Sequence, residues 1–289
     1  MPVYTTPTPL SLTLDFGVGT ARVIASEGRT ETVVEVLPAD PRSDADTRAA
    51  EQTQIDLGEG KLLVKGPRKR SPFGKAGSLD IRVELPAGSA VRGTSPMADF
   101  LCTGPLGDCH LRTSLGDIRV EQATTAKLRT DHGTLYLEWA TGDTELAAGG
   151  RIEAGHLAGA AAVKNSNGET AIEEITGALR VNSANGRVTV GRAHSDVEVR
   201  SANGSIHLGQ VVRGKITLQA AAHDIEVGLA PGTAALLELL SQVGTVQSTA
   251  ESVEGPGGAA ETVEIRATTG VGDITVRRAP TTAHLREVH

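Results

Sequence analysis

Three groupings of residues in this chain have types that could do chemistry. Cys109, His110 and His132 could ligate a transition metal if the fold brought residue 132 beside residue 109. On a strand, however, neighbours such as Cys109 and His110 point to opposite faces, and no CxxC or HxxxH spacing supports them, so no metal site is expected. The adjacent pairs Asp131-His132 and His223-Asp224 set an acid beside a general base. No GxSxG elbow supplies a nucleophile for either pair, and a turn role is the preferred reading, with no catalytic residue assigned. Gly74-Lys75 sits in FGKAGS (73–78), but a phosphate loop needs a glycine five residues before Gly74, where Lys69 stands. Gly17-Val18-Gly19 lacks the third glycine of a dinucleotide fingerprint, and the calcium-binding GGxGxD is absent, so no cofactor is expected.

The third grouping is a series of cations. His110 and Arg112, Lys127 and Arg129, then Lys164, Arg180 and Arg200 all fall on the outward side of strands that precede turns. If those strands stack about 4.8 Å apart they build a basic ladder, interrupted at Thr144 and Glu198. Its functional reading is an anionic partner: an acidic protein surface, lipid headgroups or a polyanion. The competing reading is compensation by acidic residues at neighbouring turns. A polysaccharide-active enzyme would instead need clustered carboxylates and aromatic sugar platforms. Beyond Phe100 the chain offers only Tyr136 and Trp139 as aromatics, and the column after each glycine mixes charges: Asp117, Thr134, Arg151, Glu169, Arg187, Ser205, Asp224.

What must position these residues is a repeat. Glycine-led strands begin at Gly116, Gly133, Gly150, Gly168, Gly186 and Gly204, and His223 fills the same slot, so one unit recurs every 17 to 19 residues. A unit this short has no second face to bury except against its neighbours, which means stacked coils. Apolar residues alternate with period two, so Val181, Val199 and Leu218 form one interior column and Val188, Ile206 and Ile225 another. Ile175, Ala193, Val211 and Leu229 give a third, and three sides suggest a flattened triangular section. Asn-Gly steps at 167–168, 185–186 and 203–204 supply φ > 0, and Asn167, Asn185 and Asn203 could form a side-chain ladder beside Asn165, Ser183 and Ser201. Run backwards, the register puts Ala98 to Cys102 one coil before Gly116, with Cys102 level with Val120 and Cys109 level with Ala126, both thiols inward. Run forwards, Leu239 to Val246 keeps the seven-residue gap, and Ile265 with Ile274 is expected to close the stack.

Composition agrees. Of 289 residues only 2% are aromatic while Gly numbers 34, as suits an interior one side chain deep filled by Val, Ile, Leu and Ala. The net charge of −7 gives no bulk attraction to nucleic acid or anionic membrane, and no sequence-specific nucleic-acid binding is expected. No stretch approaches the ~20 apolar residues of a membrane helix, and the start MPVYTTPTPLSLTL has no basic n-region or apolar core of an export signal. With two cysteines and no such signal, the expectation is a reduced thiol pair in the cytoplasm.

Residues 1–88 are β-rich without the repeat, with polar loops at 39–52 and 66–77, and read as a cap, partly coiled and partly antiparallel. A further loop is read at 249–261. The S-A-N-G-x-[VI]-x-[VL] coils behind this start, with LDIRVELPAGSAV (79–91) at the junction, resemble the bacterial DUF4097 proteins, labelled as candidate adhesins. The resemblance covers nearly the whole chain and implies a β-solenoid with no defined chemistry and no catalytic residues to carry over. Bactofilins, cytoplasmic polymers of β-helical coils, are an analogy of architecture.

The sequence thus predicts an all-β parallel solenoid, right-handed by the crossover rule, with about 18 residues per coil. Residues 1–89 are the β-rich cap, 90–280 the coils and 281–289 a tail. The function expected is a non-catalytic scaffold or interaction module that self-associates, binds a protein partner or binds an anionic surface. The alternative is a solenoid enzyme acting on a carbohydrate-like or other anionic substrate.

Overall fold

The computed structural model describes residues 2–67, 77–249 and 261–280. Most of the 66–77 loop with its Gly74-Lys75, nearly all of the 249–261 loop and the 281–289 tail lie outside the described residues. The protein is a parallel β-solenoid, almost all strand, in two compact units, Met1–Gly155 and His156–His289. Among the described residues no helix is long and apolar enough to cross a membrane.

In the second unit the coil period is visible in the strand register. Val181 pairs with Val199, and Val199 with Leu218; Val188 pairs with Ile206, and Ile206 with Ile225. The third column, Ile175, Ala193, Val211 and Leu229, is equally in register. All these side chains are essentially inaccessible to solvent. Backbone hydrogen bonds tie the edges of neighbouring rungs and inward side chains fill the interior, so only the outward side chains are free to vary, which is why the sequence repeats in period two and not in identity.

The turn slot is steric as well as conformational. Gly186 has φ +104°, and a Cβ there would stand 2.2 Å from the carbonyl oxygen of Gly168 on the rung below. His223 occupies the same slot with φ +88° and an exposed side chain. It is one of two non-glycine residues with positive φ among those described.

The first unit starts with a rung the repeat does not announce. Strands Ser11–Asp15 and Val18–Ser26 lie parallel to Lys61–Lys65 and Ser78–Pro86 on one side and to the start of Ala90–Leu115 on the other. The N-terminal segment is therefore sandwiched between later parts of the chain. Antiparallel strands Gln54–Gly58 and Glu31–Pro38 then cover Lys61–Lys65 and Ser78–Pro86, and Val3–Thr5 covers Glu31–Pro38.

Two expectations need correction. The 39–52 segment holds a helix, Asp44–Glu51, and is not simply a loop. Ser43 caps it by accepting from the Asp46 amide, Asp44 and Asp46 favour its N-terminal dipole, and it packs so close that a Cβ on Gly77 would meet Ala49 Cβ at 2.6 Å. A Ser-x-x-Asp start in a polar stretch was the signal available. Nor does the Ile265–Ile274 segment close the stack. Glu261–Val271 and Ile274–Arg278 pair on one side with Gly214–Ala222 and Ile225–Leu229, and on the other with Thr233–Val243 and Val246–Ser248. The chain runs out to the end, forms the terminal rung, and returns to insert the next-to-last one. The seven-residue gap survives, with Ala267 level with Leu218 and Ile274 level with Ile225.

Candidate functional site

Every cation of the predicted ladder lies on an outward strand position, but in separate columns with separate compensation. In the first unit His110 is level with Lys127, and Arg112 with Arg129. Thr144 does not interrupt this surface: it faces inward, 2% exposed and level with Ala126, and the outward neighbour of Lys127 is Glu145, whose carboxylate is 2.7 Å from the Lys127 Nζ. Arg129 donates to Asp131 from both Nε (3.1 Å) and Nη2 (3.0 Å). Those bonds, with further attraction from Arg129 and Arg112, hold the Asp131 carboxyl below the usual carboxylate range.

A folded-state value below the unfolded one means that this pair stabilises the fold above the ordinary carboxylate range and ceases to as pH falls through the lower value. Carboxyl NMR should therefore find Asp131 titrating below the model-peptide value of about 3.9, and Arg129→Ala should move it upward. An unmoved titration in that variant would show that Arg129 does not hold the carboxylate.

In the second unit Arg180 stands in one column with Glu198, while Lys164, Asn182, Arg200 and Gln219 form another. Glu198 bridges both columns, 3.0 Å from Arg180 and 2.9 Å from Arg200. Lys164 is exposed and makes no ion pair among those found between described residues. Beside it runs a shallow hollow of about 700 Å³, lined by Lys164, Asn182, Arg200 and Gln219 of one column and Ser166, Ala184, Ala202 and Ala221 of the next. The turn asparagines form their own ladder: Asn185 Nδ2 donates to Asn167 Oδ1 at 3.0 Å and Asn203 Nδ2 to Asn185 Oδ1 at 3.2 Å. No carboxylate lines this hollow.

The other chemistry-bearing residues are kept apart or occupied. Cys102 and Cys109 are inward, level with Val120 and Ala126, and fully buried. A hydrogen bond with Cys102 and burial push the Cys109 thiol well up. His132 is exposed at the end of its strand, level with Leu115, away from Cys109. Asp224 accepts from the Asp273 amide, Asp273 from the Thr245 amide, and Asp99 and Asp117 from the amides of Asp117 and Thr134. These four aspartates each tie one rung to its neighbour, a role their mixed-charge column conceals. Glu174, between His194 at 2.8 Å and His156 at 3.4 Å, is a further outward cluster that the repeat pattern does not single out.

The feature that stands out is the end of the second unit. Leu236 (71% exposed), Leu240 (58%), Val243 (63%), Val246 (46%) and Val271 (56%) all lie on its last two rungs. Among the described residues, Thr233–Val243 pairs with Glu261–Val271 alone, leaving its other edge open. The inward Leu237 and Leu239 of this rung are half-buried, with a neighbour on one side only. The sequence held a clue, since two consecutive leucine pairs break the period-two pattern and must put leucine on both faces.

No family model matches the chain, and no curated protein matches it. It is similar to several solved structures. One is a candidate cell adhesion protein from Clostridium sporogenes ATCC 15579, with 13% identity over 96% of this chain and 98% of that one, at a TM-score of 0.23. A candidate adhesin from Bacteroides fragilis NCTC 9343 has 11% identity over 95% of each chain and a TM-score of 0.30. Another, from Parabacteroides merdae ATCC 43184, has 10% identity over 96% of this chain and 95% of that one, also at 0.30. The adhesin names belong to those proteins.

Proposed function

We propose that this chain is a non-catalytic interaction scaffold that self-associates through the open end of its second unit. The observation that carries this reading is the exposed apolar strip on Thr233–Val243, an edge strand with no second neighbour among the described residues. Exposed leucines on a free strand edge are a surface that water disfavours and a partner can cover. Membership of the DUF4097 family, implied by the S-A-N-G coils, is part of the same proposal.

A second reading, an anionic partner, is favoured by the hollow lined by Lys164, which has no ion pair among the described residues, and by the amides of Asn182 and Gln219.

Light scattering from micromolar to millimolar concentration tests self-association. The expected result is a mass above the 29.9 kDa of one chain. Leu236→Asp combined with Leu240→Asp should return the mass to one chain with unchanged circular dichroism, since both side chains are exposed. A single-chain mass for the unaltered protein across the whole range would overturn the reading.

A further inference from the structure

The open strand carries a palindrome, Leu236-Leu237-Glu238-Leu239-Leu240. We propose that two copies of this chain join by antiparallel pairing of their Thr233–Val243 strands across a two-fold axis at Glu238. This rests on the reading of the open end as the contact surface, and names both the partner and the register.

Backbone direction permits it. Inward residues donate to the following rung, as Leu179 N does to the Asp196 carbonyl and Ile274 N to that of Thr245. The outward Val243 accepts from the Gly272 amide, so the outward residues Leu236, Glu238 and Leu240 turn their N–H and C=O groups toward Glu261–Val271. In a parallel ladder the alternate residues then turn theirs the other way, which places the free groups of the inward Leu237 and Leu239 on the open edge. An antiparallel partner centred on Glu238 sets Leu237 opposite Leu239, so groups that face the edge meet groups that face the edge, while Glu238 stands opposite Glu238 and Leu236 opposite Leu240. The palindrome matches side chains as well: leucine meets leucine on the outward face, and Leu237 meets Leu239 on the inward face. Registers shifted by one residue along either chain put Glu238 against a leucine.

Charge at the axis is already balanced. Glu238 is held at 2.8 Å by Arg266 on the neighbouring strand, so each copy brings its own cation to the meeting of two carboxylates. The symmetry also closes: an isologous pair consumes both open edges and leaves none for a third copy.

Engineered cysteines in the full chain read the register. Directly opposed antiparallel residues have Cα atoms about 4.5–5.5 Å apart, inside the disulfide range of about 4.4–6.8 Å. Glu238→Cys should link to its own copy on mild oxidation. Leu236→Cys and Leu240→Cys should each fail alone, because like residues would be about 14 Å apart along the strand, yet link when the two variants are mixed. The native Cys102 and Cys109 are buried and stay out of the reaction. A dimer in which Leu236→Cys or Leu240→Cys links to itself overturns the register while leaving the interaction reading intact, and so does growth beyond two chains. A chain that remains monomeric overturns both.

Discussion

Phe100→Ala should lower the unfolding free energy by about 3–5 kcal/mol, the range for truncating a buried phenylalanine. Phe100 is completely buried and meets Phe16 edge-on, with ring centroids 5.9 Å apart at 64°. Its ring also occupies the space over Gly93, where a Cβ would come within 2.6 Å of it. Elsewhere the interior is built from single layers of Val, Ile, Leu and Ala on rungs fixed by their ladders, so no neighbour is free to collapse into the void. Urea denaturation followed by far-ultraviolet circular dichroism gives the midpoint shift. Because each rung touches only its neighbours, hydrogen exchange should accelerate most in the rungs flanking Phe100. A loss below about 1 kcal/mol would show that the ring is not part of the first unit's core.

Gly186→Ala should cost about 3 kcal/mol or more, well beyond the effect of a left-handed alanine alone, which is about 1–2 kcal/mol. The added methyl would meet Gly168 at 2.2 Å from its oxygen and 2.6 Å from its carbonyl carbon, both backbone atoms that cannot swing aside. Its own amide is bonded to the Asn203 carbonyl at 2.9 Å on the next rung, so the turn is held from the other side. Gly232→Ala is the control. Gly232 also has positive φ, +79°, but nothing lies within 4 Å of the position its Cβ would take. Chemical denaturation should rank the two variants clearly apart. Equal losses would mean that conformation alone, and not rung stacking, keeps glycine at residue 186.

The solenoid was legible because each coil repeats the same physical problem. Val181, Val199 and Leu218 are matched by apolar character and spacing, and that suffices when every inward position faces the same neighbours at the same height. Outward positions carry no such constraint. Whether Arg180 or Lys164 is compensated depends on which residue stands one rung away, and Glu198 serving two arginines in different columns has no local signature. The helix at Asp44–Glu51 was obscured for another reason: its capping serine and acidic first turn lie in a stretch whose polarity reads as loop.

The amino-acid order alone determined the rung height, the inward columns, the turn slots and the burial of both cysteines, because these follow from side-chain period and glycine position. It did not determine the order in which rungs stack. Residues 11–26 and 261–278 are each inserted between parts of the chain that are not their sequence neighbours on both sides. All rungs have nearly the same apolar profile, so periodicity cannot tell which pairs with which. Chain connectivity and packing decide that, and with it which strand is left as the open, leucine-rich edge.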